Sequence, residues 1–391
     1  MKIVFWIALF IVFYTYIGYG ILLYIIIRLK RLFVGRPHEA VLPADEELPT
    51  MTLMICAYNE EDIVKEKMAN TLALDYPKDK FRIMWVTDGS NDHTNELLAT
   101  YPEVDIVFSP ERRGKTAALK HGLRELKTRY VAFTDANTMI NTGALREIAR
   151  LFSDPTVGCV SGEKRVAARK AGEMASEGEG LYWRYESTLK RWDSELYSAM
   201  GAAGELYAID PQLCREVPDE ALLDDFMLSM YVVQAGKRIA YTSDAYAREY
   251  GSANIYEESK RKRRIAAGGL QSIWWLRSML NPLRQPLVTF QYVSHRVLRW
   301  SITPVAMVLL LIVNIALVAM GAGTFYTVML ILQTLFYLMA LAGWLTNRIG
   351  YKNKLLYTAY YFMFMNFNVF RGMAYLRSHG KSGAWEKAKR S

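Results

Sequence analysis

An uncharged apolar run at the amino terminus, from Ile3 to Ile27, constrains this chain more than any other feature. At about 1.5 Å per residue, an α-helix over this run would reach roughly 37 Å, enough to cross a bilayer with some tilt. The run is too long for the apolar region of a signal peptide and lacks a small-residue cleavage site, so we predict a retained anchor. Arg28, Lys30, Arg31 and Arg36 follow it, and the positive-inside rule then predicts that the next domain is cytoplasmic.

A second uncharged stretch, from Trp300 to Asn347, is long enough for two membrane helices. Gly321-Ala322-Gly323 predicts the turn between them. A third stretch, from Leu355 to Phe370, either spans the membrane, with Arg371 extending to its surface, or lies at or re-enters the interface. That choice decides on which side the chain ends, and the sequence leaves it open. Polar residues within these stretches either line a path through the membrane or hydrogen-bond helix to helix: Asn314, Gln333 and Asn366.

These segments divide the chain into several parts. They are an N-terminal transmembrane helix (1–29), an α/β domain (48–267), an interfacial amphipathic region (268–300), C-terminal transmembrane helices (301–376) and a basic tail (377–391). The interfacial region mixes aromatic residues with His295, Arg296 and Arg299, a mixture typical of segments at the level of the lipid headgroups. The helix predicted from Leu181 to Leu196, which contains Lys190, has the same mixture; it lies either at the headgroups or on the domain surface.

Short apolar runs alternate with amphipathic helical runs between Leu48 and Ala267. The predicted buried strands are Thr52–Ala57, Arg82–Thr87, Asp105–Phe108, Tyr130–Thr134 and Gly158–Val160. The predicted helices between them are Ile63–Leu72, Asp92–Ala99, Thr116–Leu126 and Gly143–Leu151. This alternation predicts an α/β fold with a mainly parallel sheet, which binds ligands beyond the carboxyl ends of its strands.

Polar residues stand at those strand ends. Asp88 could accept hydrogen bonds from a nucleoside; the alternative is a capping cluster at the start of the next helix. Asp135, with Asn137, could hold a divalent cation against a diphosphate, or it could cap a turn. Asp224-Asp225 could supply a general base, or the pair could stabilise a helix start through the helix dipole.

Basic residues offer anion sites. Gly114-Lys115-Thr116 lacks the first glycine of a P-loop, because position 109 is Ser109, but Lys115 at a helix start could still meet a nucleotide. The net charge of +9 fits nucleic acid, anionic lipid or a phosphorylated substrate. The densest basic run, Lys260–Arg264, comes just before the membrane region, which argues against nucleic acid. A solvated basic face is the alternative.

The three cysteines, Cys56, Cys159 and Cys214, are far apart and show no CxxC spacing. Neither a zinc site nor a disulfide framework is predicted. We interpret them as small buried side chains of a reducing compartment.

The order of the motifs is more specific than any one of them. The motifs run Cys56-Ala57-Tyr58-Asn59-Glu60-Glu61, Asp88-Gly89-Ser90, Arg113-Gly114-Lys115, Asp135-Ala136-Asn137, Gly204-Glu205-Leu206-Tyr207-Ala208-Ile209, Asp224-Asp225 and Arg261-Lys262-Arg263-Arg264-Ile265. This series resembles the family 2 glycosyltransferases. Within them it is similar to the membrane-integrated branch of cellulose, hyaluronan and poly-N-acetylglucosamine synthases.

The resemblance implies a GT-A fold, a nucleotide-diphospho-sugar transferase domain flanked by N- and C-terminal transmembrane helices. It implies an inverting enzyme of the cell membrane that uses a UDP-sugar donor with Mg²⁺ or Mn²⁺, and Asp225 as general base beside Asp224. The implied donor-binding residues are Tyr58, Glu60, Asp88, Lys115, Asp135, Arg261 and Arg264. The implied acceptor-binding residues are Gly204 and Glu205, and the implied metal ligands are Asp135 and Asn137.

The chain departs from the family pattern at two positions. Asn137 fills the second position of the Asp-x-Asp metal motif, where an amide oxygen can still serve as a ligand. Ile265 stands where the polymer synthases have a tryptophan near the acceptor sugar. We therefore expect transfer to a saccharide acceptor in cell-surface or exopolysaccharide synthesis, or single-sugar transfer to a lipid such as polyprenyl phosphate or a sphingolipid. Membrane lipid is an expected partner, and nucleic acid is not.

Overall fold

A long amino-terminal helix covers most of the first 35 residues. The computed structural model describes residues 1–35, 41–167, 174–250, 255–349, 351 and 353–379. Helices α1 (Lys2–Phe13) and α2 (Tyr19–Val34) continue through a π-helical turn into one helix, Lys2–Val34. The predicted end at residue 29 is therefore too early, because the helix continues through its basic residues. The predicted basic Arg36 lies outside the described residues, as does the tail beyond residue 379.

The middle of the chain forms the predicted α/β domain. Its strands are β1 (Met51–Ala57), β2 (Phe81–Asp88), β3 (Val104–Ser109), β4 (Tyr130–Asp135), β5 (Met139–Ile140), β6 (Val157–Ala167), β7 (Tyr207–Ile209) and β8 (Arg238–Tyr250). Its helices are α3 (Glu61–Leu72), α4 (Thr94–Leu98), α5 (Lys115–Arg124), α6 (Ala144–Phe152), α7 (Met174–Leu196) and α8 (Asp224–Gln234). Every strand and helix predicted here exists, with ends that move by up to a few residues and a β6 that is much longer than predicted.

The strands form one mixed sheet in the order β3-β2-β1-β4-β7-β6-β8-β5. Strands β1 to β4 are parallel to one another, and β6 is parallel to β8. Strand β7 is antiparallel to both of its neighbours, and β5 is antiparallel to β8. Because β1, β2 and β4 are parallel, the polar residues at their carboxyl ends lie along one edge of the sheet.

Both faces of the sheet are covered by apolar side chains. Alternate residues of β1 enter different clusters: Met54 packs on one face, and Leu53 and Ile55 pack on the other. This is the pattern of a parallel sheet buried on both sides. Strand β3 at the edge is half exposed, so the prediction that Asp105–Phe108 is a buried strand is wrong. The cysteines are free thiols; Cys159 is buried, whereas Cys56 and Cys214 are only partly so.

The last part of the chain is helical. It consists of α9 (Ile255–Trp275), α10 (Pro286–Tyr292), a π-helical segment (Val293–Ile302), α11 (Thr303–Ala319), α12 (Thr324–Arg348) and α13 (Lys354–His379). Among the described residues, three helices are long and apolar enough to cross a membrane: Lys2–Val34, Pro286–Ala319 and Thr324–Arg348. The turn predicted at Gly321–Gly323 is confirmed. The second of these helices begins at Pro286, and the predicted division between an interfacial region and a membrane helix near residue 300 stays a prediction.

Helix α13 packs closely on its neighbours. A Cβ at Gly343 of α12 would lie 2.1 Å from the carbonyl oxygen of Leu356, so only glycine permits this approach. Arg371 donates to Ser259 Oγ of α9 at 2.5 Å. Of the polar residues in the apolar stretches, Asn314 hydrogen-bonds to Gln333 between α11 and α12 at 2.9 Å, as the packing alternative predicted.

A buried network of charged residues joins α7 to two of the apolar helices. Glu186 of α7 contacts Arg296 at 2.7 Å, Arg299 at 2.8 Å and His295 at 3.3 Å. Burial by itself would raise the pKa of Glu186, but Arg296, Arg299 and the hydrogen bond with His295 hold it well below its ordinary value. These three residues are therefore buried partners of α7 and do not face the headgroups.

Asp193, about two helical turns further along α7, extends the network to the amino-terminal helix. Its carboxylate accepts hydrogen bonds from the Tyr19 hydroxyl and from Gln291 Nε2, and it contacts His295 Nδ1 at 2.5 Å. Leu189 packs with Tyr19 in the same junction. Helix α7 therefore packs on the sheet domain, which was one of its two predicted settings, and it also contacts the apolar helices, while Arg184 and Arg191 stay exposed.

Replacing Glu186 with glutamine should destabilise the protein strongly. The change leaves two arginines and a histidine buried without their common anion, and breaking a buried ion pair in this way typically costs about 3–5 kcal/mol. The measurement is the melting temperature of the full chain in detergent micelles. Glu66→Gln, on an exposed face of α3, is the control and should leave the melting temperature unchanged. Equal melting of the Glu186 variant and the wild type would contradict a structural role for the network.

Candidate active site

A cavity of about 510 Å³ lies between the sheet domain and the carboxy-terminal helices. One end is lined by charged residues from the sheet edge, and the other is lined mainly by aromatic and apolar side chains of α13 and the amino-terminal helix. Its walls include eight of the predicted site residues: Lys115, Asp135, Gly204, Glu205, Asp224, Asp225, Arg261 and Arg264. Tyr58, Glu60, Asp88 and Asn137 do not line it.

The charged end is built where three elements meet. Strand β4 ends at Asp135, α5 begins at Lys115, and α8 begins at Asp224. Lys115 Nζ lies 2.7 Å from Asp135 Oδ1 and 3.9 Å from Asp224 Oδ2. Burial lowers the pKa of Lys115, but Asp135 and Asp224 outweigh it and raise that pKa above its ordinary value. The ammonium therefore stays charged between two carboxylates.

Asp225 is the acid of the cavity whose pKa is raised. Burial, together with the charge of Asp224, raises the pKa of Asp225 to about 6. Gly204 leaves room for this carboxylate: a Cβ there would lie 2.9 Å from Asp225 Oδ2 and would displace it. At neutral pH Asp225 is thus mostly ionised, yet its affinity for a proton is unusually high for a carboxylate. A general base requires such a proton affinity.

The predicted nucleoside-binding residues lie together just outside the cavity. Asp88 at the end of β2 is buried, and its two oxygens accept hydrogen bonds from the backbone N–H groups of Arg113 at 2.9 Å and Gly114 at 2.7 Å. The Arg112 guanidinium lies over the ring of Tyr58, 3.9 Å from its centre. Asp88 therefore fixes the loop that leads into Lys115. Contact of Asp88 with a nucleoside stays a prediction.

Lys67 is a functional candidate that the sequence did not reveal. This lysine of α3 is completely buried, and it donates to the carbonyl oxygen of Thr138 at 2.5 Å and to Thr134 Oγ1 at 3.2 Å. Burial lowers its pKa to about 7. Thr134 and Thr138 flank Asp135 and Asn137, so Lys67 fixes the turn that carries both predicted metal ligands. A lysine within an amphipathic helix gives no sequence signal of this role.

The basic run of α9 contributes to the cavity wall and is not a solvated face. None of its five residues is fully exposed, and Lys262 is buried. Arg261 lies 3.2 Å from Glu258 and 3.6 Å from Glu249. Burial lowers the pKa of Arg264, and the nearby Asp224, Asp225 and Asp135 counter that effect. Of the two arginines predicted to meet a pyrophosphate, Arg264 is therefore the one that faces the acidic cluster.

The predicted acceptor residue Glu205 is held by a buried lysine. Lys164 bridges the carboxylates of Glu205 and Glu249. Burial would raise the pKa of Glu205, but Lys164 holds it well below its ordinary value. The carboxylate of Glu205 therefore stays ionised.

The other end of the cavity reaches the helices. Trp300, Tyr361, Phe362 and Val369 line it, and Tyr16 of the amino-terminal helix donates to Asn366 Oδ1 at 2.5 Å. Asn366 therefore lines the cavity and also hydrogen-bonds one helix to another, so it combines the two roles that the sequence left open. The sequence gave no reason to join these residues to the acids, because the contacts bring together parts of the chain that lie hundreds of residues apart.

A sheet of this order, with an acidic cluster at the carboxyl edge of its parallel strands, defines the GT-A class of nucleotide-diphospho-sugar transferases. Residues 52–209 match the sequence model described as Glycosyl transferase family 2. The chain therefore carries a family 2 glycosyltransferase domain, as its motifs predicted.

Similar proteins support the same assignment. A mannosyltransferase from Pyrobaculum calidifontis, solved with GDP-Man and Mn²⁺, superposes with a TM-score of 0.68 at 22% identity over 95% of this chain and 98% of that one. A poly-beta-1,6-N-acetyl-D-glucosamine synthase from Staphylococcus aureus is 35% identical over 31% of this chain and 30% of its own length. A beta-monoglucosyldiacylglycerol synthase from Synechocystis sp. is 25% identical over 62% of this chain and 53% of its own. The chain thus spans less than a third of the first of these two relatives and about half of the second.

Proposed function

We propose that this protein transfers a sugar from a nucleotide-diphospho-sugar, a UDP-sugar by family resemblance, to a hydroxyl group of an acceptor held at the membrane. The observation that carries the proposal is Asp225, a buried carboxylate with a pKa of about 6 inside a cavity that also contains the cationic side chains Lys115 and Arg264. A base and a cationic leaving-group site in one cavity are what this transfer requires.

The donor end would hold the diphosphate. Lys115 and Arg264 supply positive charge beside Asp135, and Asp88 keeps the loop before Lys115 in place. A carboxylate and an amide suit a hard divalent cation, which commonly takes one or two protein carboxylates and completes its coordination with phosphate oxygens. Asp135 and Asn137 would hold that Mg²⁺ or Mn²⁺, which when bound would offset the charge of the departing nucleotide.

The acceptor end would supply the nucleophile. Asp225 accepts the proton of the acceptor hydroxyl as that oxygen attacks C1 of the sugar from the face opposite the diphosphate. The bond from C1 to the diphosphate breaks as the new bond forms, so the configuration at C1 inverts. Gly204 leaves the space in which the Asp225 carboxylate turns toward the acceptor.

The cavity favours a lipid-linked acceptor over a growing polysaccharide. Its far end is walled by Trp300, Tyr361 and Phe362, so an acceptor that reaches Asp225 through it would carry an apolar part. Ile265, in place of the tryptophan expected in polymer synthases, also lines the cavity. The relative that aligns over more of this chain is named for a glycolipid product. Polysaccharide synthesis stays the second candidate, on the similarity to the poly-N-acetylglucosamine synthase.

The proposed orientation places the sheet domain in the cytoplasm of a multi-pass membrane protein. Arg31 binds Glu195 at the end of α7 with two contacts of 2.6 Å, and Lys30 donates to the carbonyl oxygens of Glu195 and Leu196. The domain therefore docks on the basic end of the amino-terminal helix, the end that the positive-inside rule assigns to the cytoplasm.

Nucleotide release tests the proposed reaction. The purified chain in nanodiscs should release nucleotide from one of UDP-glucose, UDP-N-acetylglucosamine, UDP-galactose, UDP-glucuronate or GDP-mannose, and EDTA should abolish the release. Asp225→Asn should lower turnover by about 10²–10⁴-fold, because proton transfer to a positioned base contributes that much, while the dissociation constant for the nucleotide stays unchanged. Wild-type turnover in the Asp225→Asn variant would exclude the proposal, and so would the absence of nucleotide binding by both the wild type and the variant.

The pH dependence tests which of the paired acids is the base. Turnover should be full above the Asp225 pKa of about 6 and fall as the pH drops through it, because only the ionised carboxylate accepts a proton. Asp224→Asn removes the like charge that raises this pKa, so the acid limb should move to lower pH. Asp105→Asn, an exposed change on β3, should leave the profile in place. Loss of turnover in Asp224→Asn at every pH would instead make Asp224 the base.

A further inference from the structure

Lys190 of α7 is a buried cation that the proposed reaction does not use. Only 4% of the residue is exposed, yet it lines the cavity. Among the residues that the structure describes, its ammonium has no hydrogen-bond or ion-pair partner; its one contact is with the ring of Trp183, 6.0 Å away. A buried ammonium without a counter-ion is costly, and such groups in a binding cavity usually meet an anionic ligand.

Of the three acids near Lys190, two are paired with other cations, and the third, Asp225, is the proposed base. Glu186 is shared by His295, Arg296 and Arg299, and Glu205 is paired with Lys164. Burial and the charge of Arg296 together lower the pKa of Lys190, and the nearby carboxylates do not restore it. The surroundings therefore favour an added negative charge at this position.

Lys190 lines the same cavity as Asp225 and the donor cations. Glu186, on the same helix as Lys190, contacts Arg296 and Arg299, and both arginines also line the cavity. Trp300 continues this wall toward Tyr16 and α13. We therefore assign Lys190 to the proposed acceptor side.

We propose that Lys190 and Trp183 form a subsite for the phosphate group of a lipid-linked acceptor, whose hydrocarbon part lies along α13 and whose hydroxyl faces Asp225. The inference rests on the proposed function and narrows its acceptor to an anionic lipid. A neutral acceptor, such as a diacylglycerol, would leave the ammonium without a partner.

The test compares two probes that differ only in the phosphate. The full chain in detergent is titrated with farnesyl phosphate and with farnesol, and native mass spectrometry gives each dissociation constant. The wild type should bind farnesyl phosphate about tenfold to a hundredfold more tightly, as expected for one hydrogen-bonded charge contact. Lys190→Met should reduce the preference to about twofold or less, and Lys190→Arg should retain it.

A matched control and a second ligand keep the outcomes distinct. Arg191→Met changes the adjacent, exposed residue of α7 and should keep the phosphate preference. Equal binding of both probes by the wild type, or a preference that survives in Lys190→Met, would overturn the subsite. Displacement of farnesyl phosphate by equimolar inorganic phosphate would overturn its assignment to a lipid. UDP binding should be the same in all these variants; its absence from the wild type would exclude the proposed function, while the farnesyl comparison would still decide the role of Lys190.

Discussion

The buried carboxylate of Glu186 is the interaction on which the rest of this structure depends. Three cationic side chains converge on it from the helix that begins at Pro286, while Asp193 on the same α7 helix engages Tyr19 of the amino-terminal helix. Desolvating so many charges is favourable only when each is paired. The pairing therefore fixes α7 against both apolar helices. It fixes the sheet domain with them, because α7 is followed by the turn that carries Gly204 and Glu205 and then by β7.

The position of α7 explains why one cavity can serve two substrates of different solubility. The edge of the parallel strands supplies Lys115, Asp135 and the paired acids of α8, a polar surface suited to a water-soluble nucleotide. The helices held by α7 supply Trp300, Tyr361 and Tyr16 at the other end. Asp225 lies where the two surfaces meet, and its high pKa follows from that position, since burial and a neighbouring carboxylate both disfavour its charge. The raised pKa of the proposed base thus depends on how the domain and the helices are joined.

Local patterns in the sequence were sufficient for the sheet domain and for the residues at the strand ends. Apolar runs with polar termini predicted β1, β2 and β4, and with them the positions of Asp88 and Asp135. The same approach failed where long-range contacts decide the outcome. We predicted that His295, Arg296 and Arg299 lie at the lipid headgroups, because no residue near them in the sequence indicates that Glu186 is their partner. We predicted Lys190 as part of a helix with mixed aromatic and basic residues, and the sequence did not indicate that Lys67 is buried. Burial against distant segments of the chain leaves no periodic pattern in the local sequence. The edge strand β3 was predicted to be buried from its apolar residues, but at the edge of the sheet Ile106 and Phe108 are exposed.

The measurement that tests the central claim most directly is the partition of radioactive sugar between solvents after a reaction with native membranes. The account places the acceptor hydroxyl at Asp225 and the rest of the acceptor along the apolar wall of the cavity. It therefore predicts that the label moves from the water-soluble donor into an organic extract, as a lipid carrying one sugar, and that Asp225→Asn prevents the transfer. Label recovered as a water-soluble or insoluble polymer, with none in the organic extract, would contradict the account and make the cavity a passage for a growing saccharide.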